Sequence, residues 1–185
     1  VEIKDTAVTQ PLVVAAALLA ARYLQIPSTA VVAGHSVGEL AAAAAAGVLP
    51  DLDAVGLAAV RGQAMSAACA LTPTGMSAVM GGATEDVLAA LEELDLVGAN
   101  VNGGGQIVAA GPLEALDQLK ANPPAGARVV PLSVAGAFHT EHMLPGQRRL
   151  ARIAPAISTR EPRMTLLSNA DGASVTNGNE YLQRL

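Results

Sequence analysis

A β-branched run, a glycine-flanked serine turn and an almost pure alanine helix follow one another without a break between Thr29 and Ala46. This succession limits the fold more than any other part of the chain. Thr29-Ala30-Val31-Val32-Ala33 predicts a short buried strand. Gly34-His35-Ser36-Val37-Gly38 then matches G-x-S-x-G, and Glu39–Ala46 predicts a helix closed by Gly47 and Pro50. Strand, tight turn and helix in that order are the setting of a nucleophile elbow in an α/β protein. The turn would expose the Ser36 hydroxyl at a helix amino terminus, where unpaired N–H groups and the helix dipole favour negative charge. The N–H of Val37 is then a natural oxyanion donor. The same residues also read as a plain β–α turn with an N-capping serine.

Around this turn the chain alternates helix and strand signals. Thr9–Leu24, with apolar residues on all sides, predicts a buried helix. Asp51 caps a further helix that runs to about Leu71. The middle of the chain predicts a strand at Gly75–Met80, a helix at Thr84–Leu94 and strands at Val97–Val101 and Gln106–Ala110. A helix at Pro112–Ala121 and a strand at Arg128–Val134 follow. That β-α-β-β-α-β order is the signature of a ferredoxin-like unit, here expected over residues 72–133, with seams at Thr72–Pro73 and Val134–Gly136. A helix from about Thr140 to Ala154, a strand at Met164–Leu167 and a polar turn at Ser168–Gly172 complete the reading. The chain opens on Val1 in mid-element and stops inside a helical pattern after Tyr181. It therefore reads as a piece of something longer.

If Ser36 is a nucleophile it needs a base, and the chain holds three histidines. His35 is adjacent to it on the turn and points away, which makes it the weaker base but leaves it able to shape the site. His139 follows the turn Gly136-Ala137-Phe138 at a strand end, where catalytic loops gather. It reads either as the base or as a structural histidine. His142 reads as a surface helix residue. His139 and His142 lack a third ligand at metal-site spacing, so no metal is expected. Arg61 lies in a helix otherwise made, apart from Gln63, of small and apolar residues over Val55–Ala70. It either snorkels to solvent or is held against an anion. Asn102-Gly103-Gly104-Gly105 joins two strands and reads as a hairpin turn, not a phosphate cradle. Arg148, Arg149 and Arg152 form a basic helix face, solvated or open to an acidic partner. Cys69 reads as packing.

Composition excludes several classes. Aromatics make up 2% of the chain and acidic residues outnumber basic ones, 16 against 11. Neither stacking platforms nor a phosphate-binding excess of charge is present, which argues against nucleic acid as a partner. A single cysteine points to a reducing, cytoplasmic setting. The apolar runs Pro11–Ala21 and Leu40–Pro50 are too short to predict a membrane span.

Taken in order, Thr9-Gln10-Pro11, Gly34-His35-Ser36-Val37-Gly38-Glu39, Val60-Arg61-Gly62-Gln63-Ala64-Met65 and Gly136-Ala137-Phe138-His139 resemble a known family. Ala99-Asn100-Val101-Asn102 and Gln106–Gly111 add to the likeness. The family is that of malonyl-CoA–acyl carrier protein transacylases and the acyltransferase domains of fatty-acid and polyketide synthases. The resemblance implies an α/β fold with an α/β-hydrolase-like large subdomain (1–71 and 134–185) and an inserted ferredoxin-like small one (72–133). It implies Ser36 as acyl-accepting nucleophile, His139 as general base and Arg61 as partner of a malonyl carboxylate. Gln10 and His35 would line the site, and Phe138 would crowd a branched acyl chain. The substrates implied are malonyl-CoA and the thiol of an acyl carrier protein, with no cofactor beyond the coenzyme A thioester. The setting implied is a cytoplasmic monomer or a domain of a larger synthase. The family's amino-terminal Gly-Gln-Gly strand and its carboxy-terminal, histidine-orienting glutamine are outside this chain, as in a member truncated at both ends. Two other readings stand beside it: an α/β serine esterase or thioesterase, and a non-catalytic carrier-docking fragment.

Overall fold

The computed structural model describes residue 3 and residues 5–184. In chain order the elements are α1 (Thr6–Tyr23), β1 (Val31–Ala33), α2 (Gly38–Ala45), α3 (Asp51–Cys69), β2 (Thr74–Gly81), α4 (Thr84–Glu93) and β3 (Val97–Val101). They continue with β4 (Gln106–Pro112), α5 (Leu113–Ala121), β5 (Ala127–Pro131), α6 (Leu144–Ile153), β6 (Thr165–Leu167) and α7 (Gly178–Arg184). The result is a mixed α/β structure that divides into two compact units. One comprises the residues up to Ala64 together with those from Gln147 onward; the other is Met65–Gly146.

In the first unit, β1 and β6 pair in parallel, Val31 with Thr165 and Ala33 with Leu167. The expected buried strand is shorter and less buried than predicted. Among the described residues this sheet has two strands, and Val31 is 61% exposed. A β-branched run reports strand propensity, whereas burial depends on what covers the strand. The alanines of α2 allow close approach of neighbours, and Ala42, Ala43 and Ala44 form one core with Val14 and Leu18 of α1, Ala54 and Leu57 of α3, Leu166 and Tyr181.

Helix α1 corrects a second expectation. Asp5 caps it, its carboxylate accepting the Ala7 N–H at 2.9 Å. Only Thr6, Gln10, Val14 and Leu18 are buried, four residues apart and therefore on one face. Leu12, Val13 and Leu19 are exposed. Because apolar residues occupy both faces, composition alone cannot reveal which stripe packs. The helix extends past the Pro11–Ala21 run, and its 18 residues match a membrane-crossing segment by length and composition, which the shorter run did not suggest.

The second unit is an antiparallel sheet in the order β3-β4-β2-β5. Along β4 the side chains alternate. Ile107 and Ala109 join Val87 and Leu91 of α4 and Leu116 and Leu119 of α5, while Val108 and Ala110 pack with Met76 and Ala137. With both faces covered, the strand reads as a continuous apolar run. The β3–β4 turn is the hairpin expected, with Gly103, Gly104 and Gly105 all at positive φ. The helix expected from Thr140 begins instead with a 3-10 turn at Glu141–Met143, whose first N–H groups include that of His142, accepted by Thr140 Oγ1 at 3.3 Å. The α-helix proper starts at Leu144, with Pro145 in its first turn, where a missing N–H costs nothing.

Candidate active site

Ser36 sits between the end of β1 and the start of α2 with φ +54°, a left-handed conformation that non-glycine residues rarely adopt. The turn around it is drawn tight by Gly38 N–H to His35 O at 2.9 Å and Glu39 N–H to Ser36 O at 3.0 Å. A Cβ on Gly34 would lie 2.1 Å from the Gly38 carbonyl oxygen, so only glycine fits there. Val37 is the residue immediately before α2, in helical conformation, and His35 is exposed beside it.

Two other side chains converge on Ser36. Arg61, from α3, donates through Nη2 to Ser36 Oγ at 3.1 Å and through Nη1 to Gln10 Oε1 at 2.8 Å. The contact exists because α1 and α3 cross at backbone distance. A Cβ on Gly62 would lie 2.3 Å from the Thr6 carbonyl oxygen, and Thr6 Oγ1 donates to the Gly62 carbonyl at 2.9 Å. Gly62 therefore sets Gln10 and Arg61 side by side.

The electrostatics of the elbow are shaped by burial. Glu39, 8% exposed, lies three residues beyond Ser36 on α2. Desolvation pushes its carboxyl above the ordinary range, opposed by the Asn169 N–H, by Tyr181, and by attraction to Arg61 and His35. Desolvation likewise lowers the Arg61 pKa, and Glu39 draws it back up. Burial raises the Tyr181 phenol, with Glu39 adding to the effect, and its hydroxyl donates to the Glu39 carbonyl at 3.2 Å. Both hydrogen bonds of Arg61 end on neutral oxygens. Its guanidinium has five N–H donors, which leaves others to meet an anion.

His139 and Phe138 belong to the second unit. Their loop is pinned by the Ala137 N–H to Thr74 Oγ1 at 3.0 Å and by Thr140 Oγ1 to the Ala137 carbonyl at 2.7 Å. Gly136 lets it approach α3: a Cβ there would meet Cys69 Sγ at 2.5 Å. Phe138 packs partly buried against the Met76, Val108 and Ala110 cluster. His139 is exposed, with φ +60°. Among the described residues no group of three or more His, Cys, Asp or Glu side chains could hold a metal.

Ser36, Arg61 and Gln10 are thus brought together in the first unit. Sequence reasoning missed three residues around them. Glu39 was visible as a lone charge in an alanine helix. Asn169, in the turn after β6, accepts the Ser36 N–H through Oδ1 at 3.3 Å; a polar turn at the carboxyl end of a strand was the available signal. Gly62 stands within the Val60–Met65 motif, where nothing local marks it as a helix crossing point.

A serine elbow with an arginine reaching its hydroxyl, on a mixed α/β chain, defines the class: the chain belongs to the acyl transferase domain family, which it matches over residues 2–179. Within that family it is 55% identical over 188 residues to the malonyl CoA-acyl carrier protein transacylase of Mycolicibacterium smegmatis, covering 100% of this chain and 65% of that protein. The crystal structure of MCAT from Mycobacterium tuberculosis superimposes with a TM-score of 0.92 at 55% identity, over 99% of this chain and 64% of that one. A complex of a type II polyketide synthase acyl-carrier protein with its malonyl-transacylase gives 0.85 at 30% identity, over 99% and 63%. The chain spans a little under two thirds of the length of these relatives.

Proposed function

We propose that the protein transfers a malonyl group from coenzyme A to the thiol of an acyl carrier protein through a Ser36 ester. The observation that carries this reading is the Arg61–Ser36 contact at 3.1 Å, with Gln10 holding the other guanidinium nitrogen. An acyl group bound to Ser36 and ending in a carboxylate would meet a fixed cation, and a desolvated Arg–carboxylate pair supplies both geometry and strength. A plain esterase has no use for that cation. In this reading Ser36 attacks the thioester carbonyl as coenzyme A leaves, and the carrier thiol then displaces the serine in ping-pong fashion. His139 takes the Ser36 proton and returns one to the leaving group. The Val37 N–H stabilises the tetrahedral oxyanion. His35 lines the site, and Phe138 disfavours branched acyl chains.

The architecture we assign is an α/β-hydrolase-like large subdomain carrying a ferredoxin-like small one, whose four strands and two helices all lie within 72–133. The parallel β1–β6 pair beneath the elbow and the antiparallel order β3-β4-β2-β5 support it. No cofactor is required beyond the thioester substrate. The relatives named for malonyl CoA and acyl carrier protein, and the carrier complex, support the choice of donor and acceptor. A cytoplasmic setting, as a monomer or within a larger synthase and without membrane or nucleic-acid partners, accompanies this reading.

The test is mass measurement of the full-length protein after incubation with malonyl-CoA. A malonyl adduct on Ser36, absent in Ser36→Ala, is expected. Arg61→Ala should cost malonyl transfer about 2–5 kcal/mol, read from the ratio of kcat/KM values for malonyl-CoA, as truncating a desolvated charge pair does, and spare acetyl-CoA. Equal losses with both substrates would make Arg61 structural and leave the malonyl donor resting on Phe138 and the family likeness alone.

A further inference from the structure

β1 and β6 are parallel and in register through Ala33 and Leu167. The segments leaving their carboxyl ends, the Ser36 elbow and the Ser168–Gly172 turn, are therefore neighbours, in the position where open α/β sheets place their sites. The second segment is closed on itself. The Gly172 N–H donates to the Ser168 carbonyl at 2.9 Å and the Ser168 N–H to the Ala173 carbonyl at 3.0 Å. Ser168 Oγ accepts the Ala170 N–H at 3.2 Å, and Asp171 Oδ1 accepts the Ala173 N–H at 3.0 Å.

Asn169 touches the elbow twice. Its Oδ1 accepts the Ser36 N–H at 3.3 Å, and its own N–H donates to Glu39 Oε1 at 2.7 Å. The second bond, to a carboxylate, is short and of the stronger, charge-assisted kind. The Ser36 amide precedes the first turn of α2 and has no acceptor within that helix. A side chain must supply one, and Asn169 does. Left-handed backbone at a residue with a Cβ is costly and persists only where its surroundings over-determine it. The Asn169 acceptor is the constraint that acts on the Ser36 amide itself, and the buried Glu39 holds that acceptor in place.

We propose that Asn169, fixed by Glu39, is a positioning residue that holds Ser36 in its left-handed conformation and so aims Oγ for acyl transfer. The inference rests on Ser36 being the acyl-accepting group, as argued under the proposed function. It assigns Asn169 no contact with the acyl chain.

The full-length protein would be compared as wild type, Asn169→Ala and Asn169→Asp, with thermal melting to establish that each is folded. In single-turnover mixing with malonyl-CoA, Asn169→Ala should slow Ser36 acylation on the order of 10–100-fold, the scale expected for a misplaced reacting group, with the half-saturating malonyl-CoA concentration unchanged. Asn169→Asp keeps an oxygen acceptor and should restore the rate to within a few-fold of wild type. A fluorophosphonate that labels reactive serines gives a second reading that does not depend on malonyl-CoA, and the same order of rates is expected. Wild-type rates in Asn169→Ala with both reagents would overturn the inference. So would equal slowing in the Ala and Asp variants, since the acceptor would then not matter. If fluorophosphonate labels wild-type Ser36 but malonyl-CoA does not, the malonyl assignment fails, and the fluorophosphonate series alone decides the role of Asn169.

Discussion

Replacing Gly62 with alanine tests the contact that brings Gln10 and Arg61 together. An ideal Cβ at this position lies 2.3 Å from the Thr6 carbonyl oxygen, 2.9 Å from its carbon and 3.1 Å from Ala7 Cα, all backbone atoms of α1. No side-chain rotation can relieve such a contact. Cβ atoms essentially never approach within 3.0 Å, so the helices must part by at least 3.0 − 2.3 = 0.7 Å. The Thr6 Oγ1 bond to the Gly62 carbonyl, 2.9 Å and buried, lies at the same crossing and would be stretched or lost. Overpacking costs about 1–3 kcal/mol and a lost hydrogen bond about 1 kcal/mol. The helix preference of alanine over glycine returns about 1 kcal/mol. The net loss is centred near ~2 kcal/mol by those three contributions, a fall in Tm of about 4–8 °C for a protein of this size. Gln10, one turn along α1 from Thr6, would move with it and release Arg61, and malonyl transfer should fall by up to roughly 10²-fold. Gly56 on the same helix is the control: a Cβ there meets nothing within 4 Å, so Gly56→Ala should be neutral or stabilise by up to about 1 kcal/mol. Thermal and denaturant melts of the two variants decide the matter. A Gly62→Ala protein as stable as Gly56→Ala would refute the backbone contact between α1 and α3.

Burial raises the Glu39 carboxyl above its ordinary value of 4.5. Between that value and its folded one the native state binds more protons than the unfolded chain, so this residue's contribution to stability is full below pH 4.5 and is lost as pH rises through the folded value. Glu39→Gln keeps an oxygen for the Asn169 N–H and cannot titrate; its Tm relative to wild type should climb as pH rises through that window, and parallel Tm–pH curves would count against the burial argument. Thr74→Val removes the acceptor of the Ala137 N–H, and both residues are buried. It should cost about 1–3 kcal/mol and speed hydrogen exchange at the Ala137 amide, while unchanged exchange would show the loop is held by other contacts.

Much of the second unit was legible because its signals are local. Short apolar runs broken by glycine turns, with two leucine-containing helical stretches between them, reproduce the observed element order to within a few residues. The lapses came where local and global signals part. Arg128–Val134 was read as one strand, yet the ladder with β2 ends at Pro131. The helix predicted from Thr140 begins with a capped 3-10 turn because the Thr140 side chain competes for the first N–H groups. Helix α1 and strand β1 were recognised as elements, but their burial was overstated, since composition cannot say which faces find partners.

The sequence by itself determined that the chain is α/β, that a serine stands in a strand–turn–helix elbow, and which motifs it shares with a family. Each of these is written in residues close together in the chain. The tertiary structure alone decided what surrounds that serine. Asn169 meets Ser36 across 133 residues and Glu39 across 130. Arg61 meets Gln10 across 51, and Gly62 meets Thr6 across 56. No local periodicity encodes such pairs. They exist because two short strands align in parallel and two helices cross where one residue has no side chain, and only the folded packing makes those neighbours.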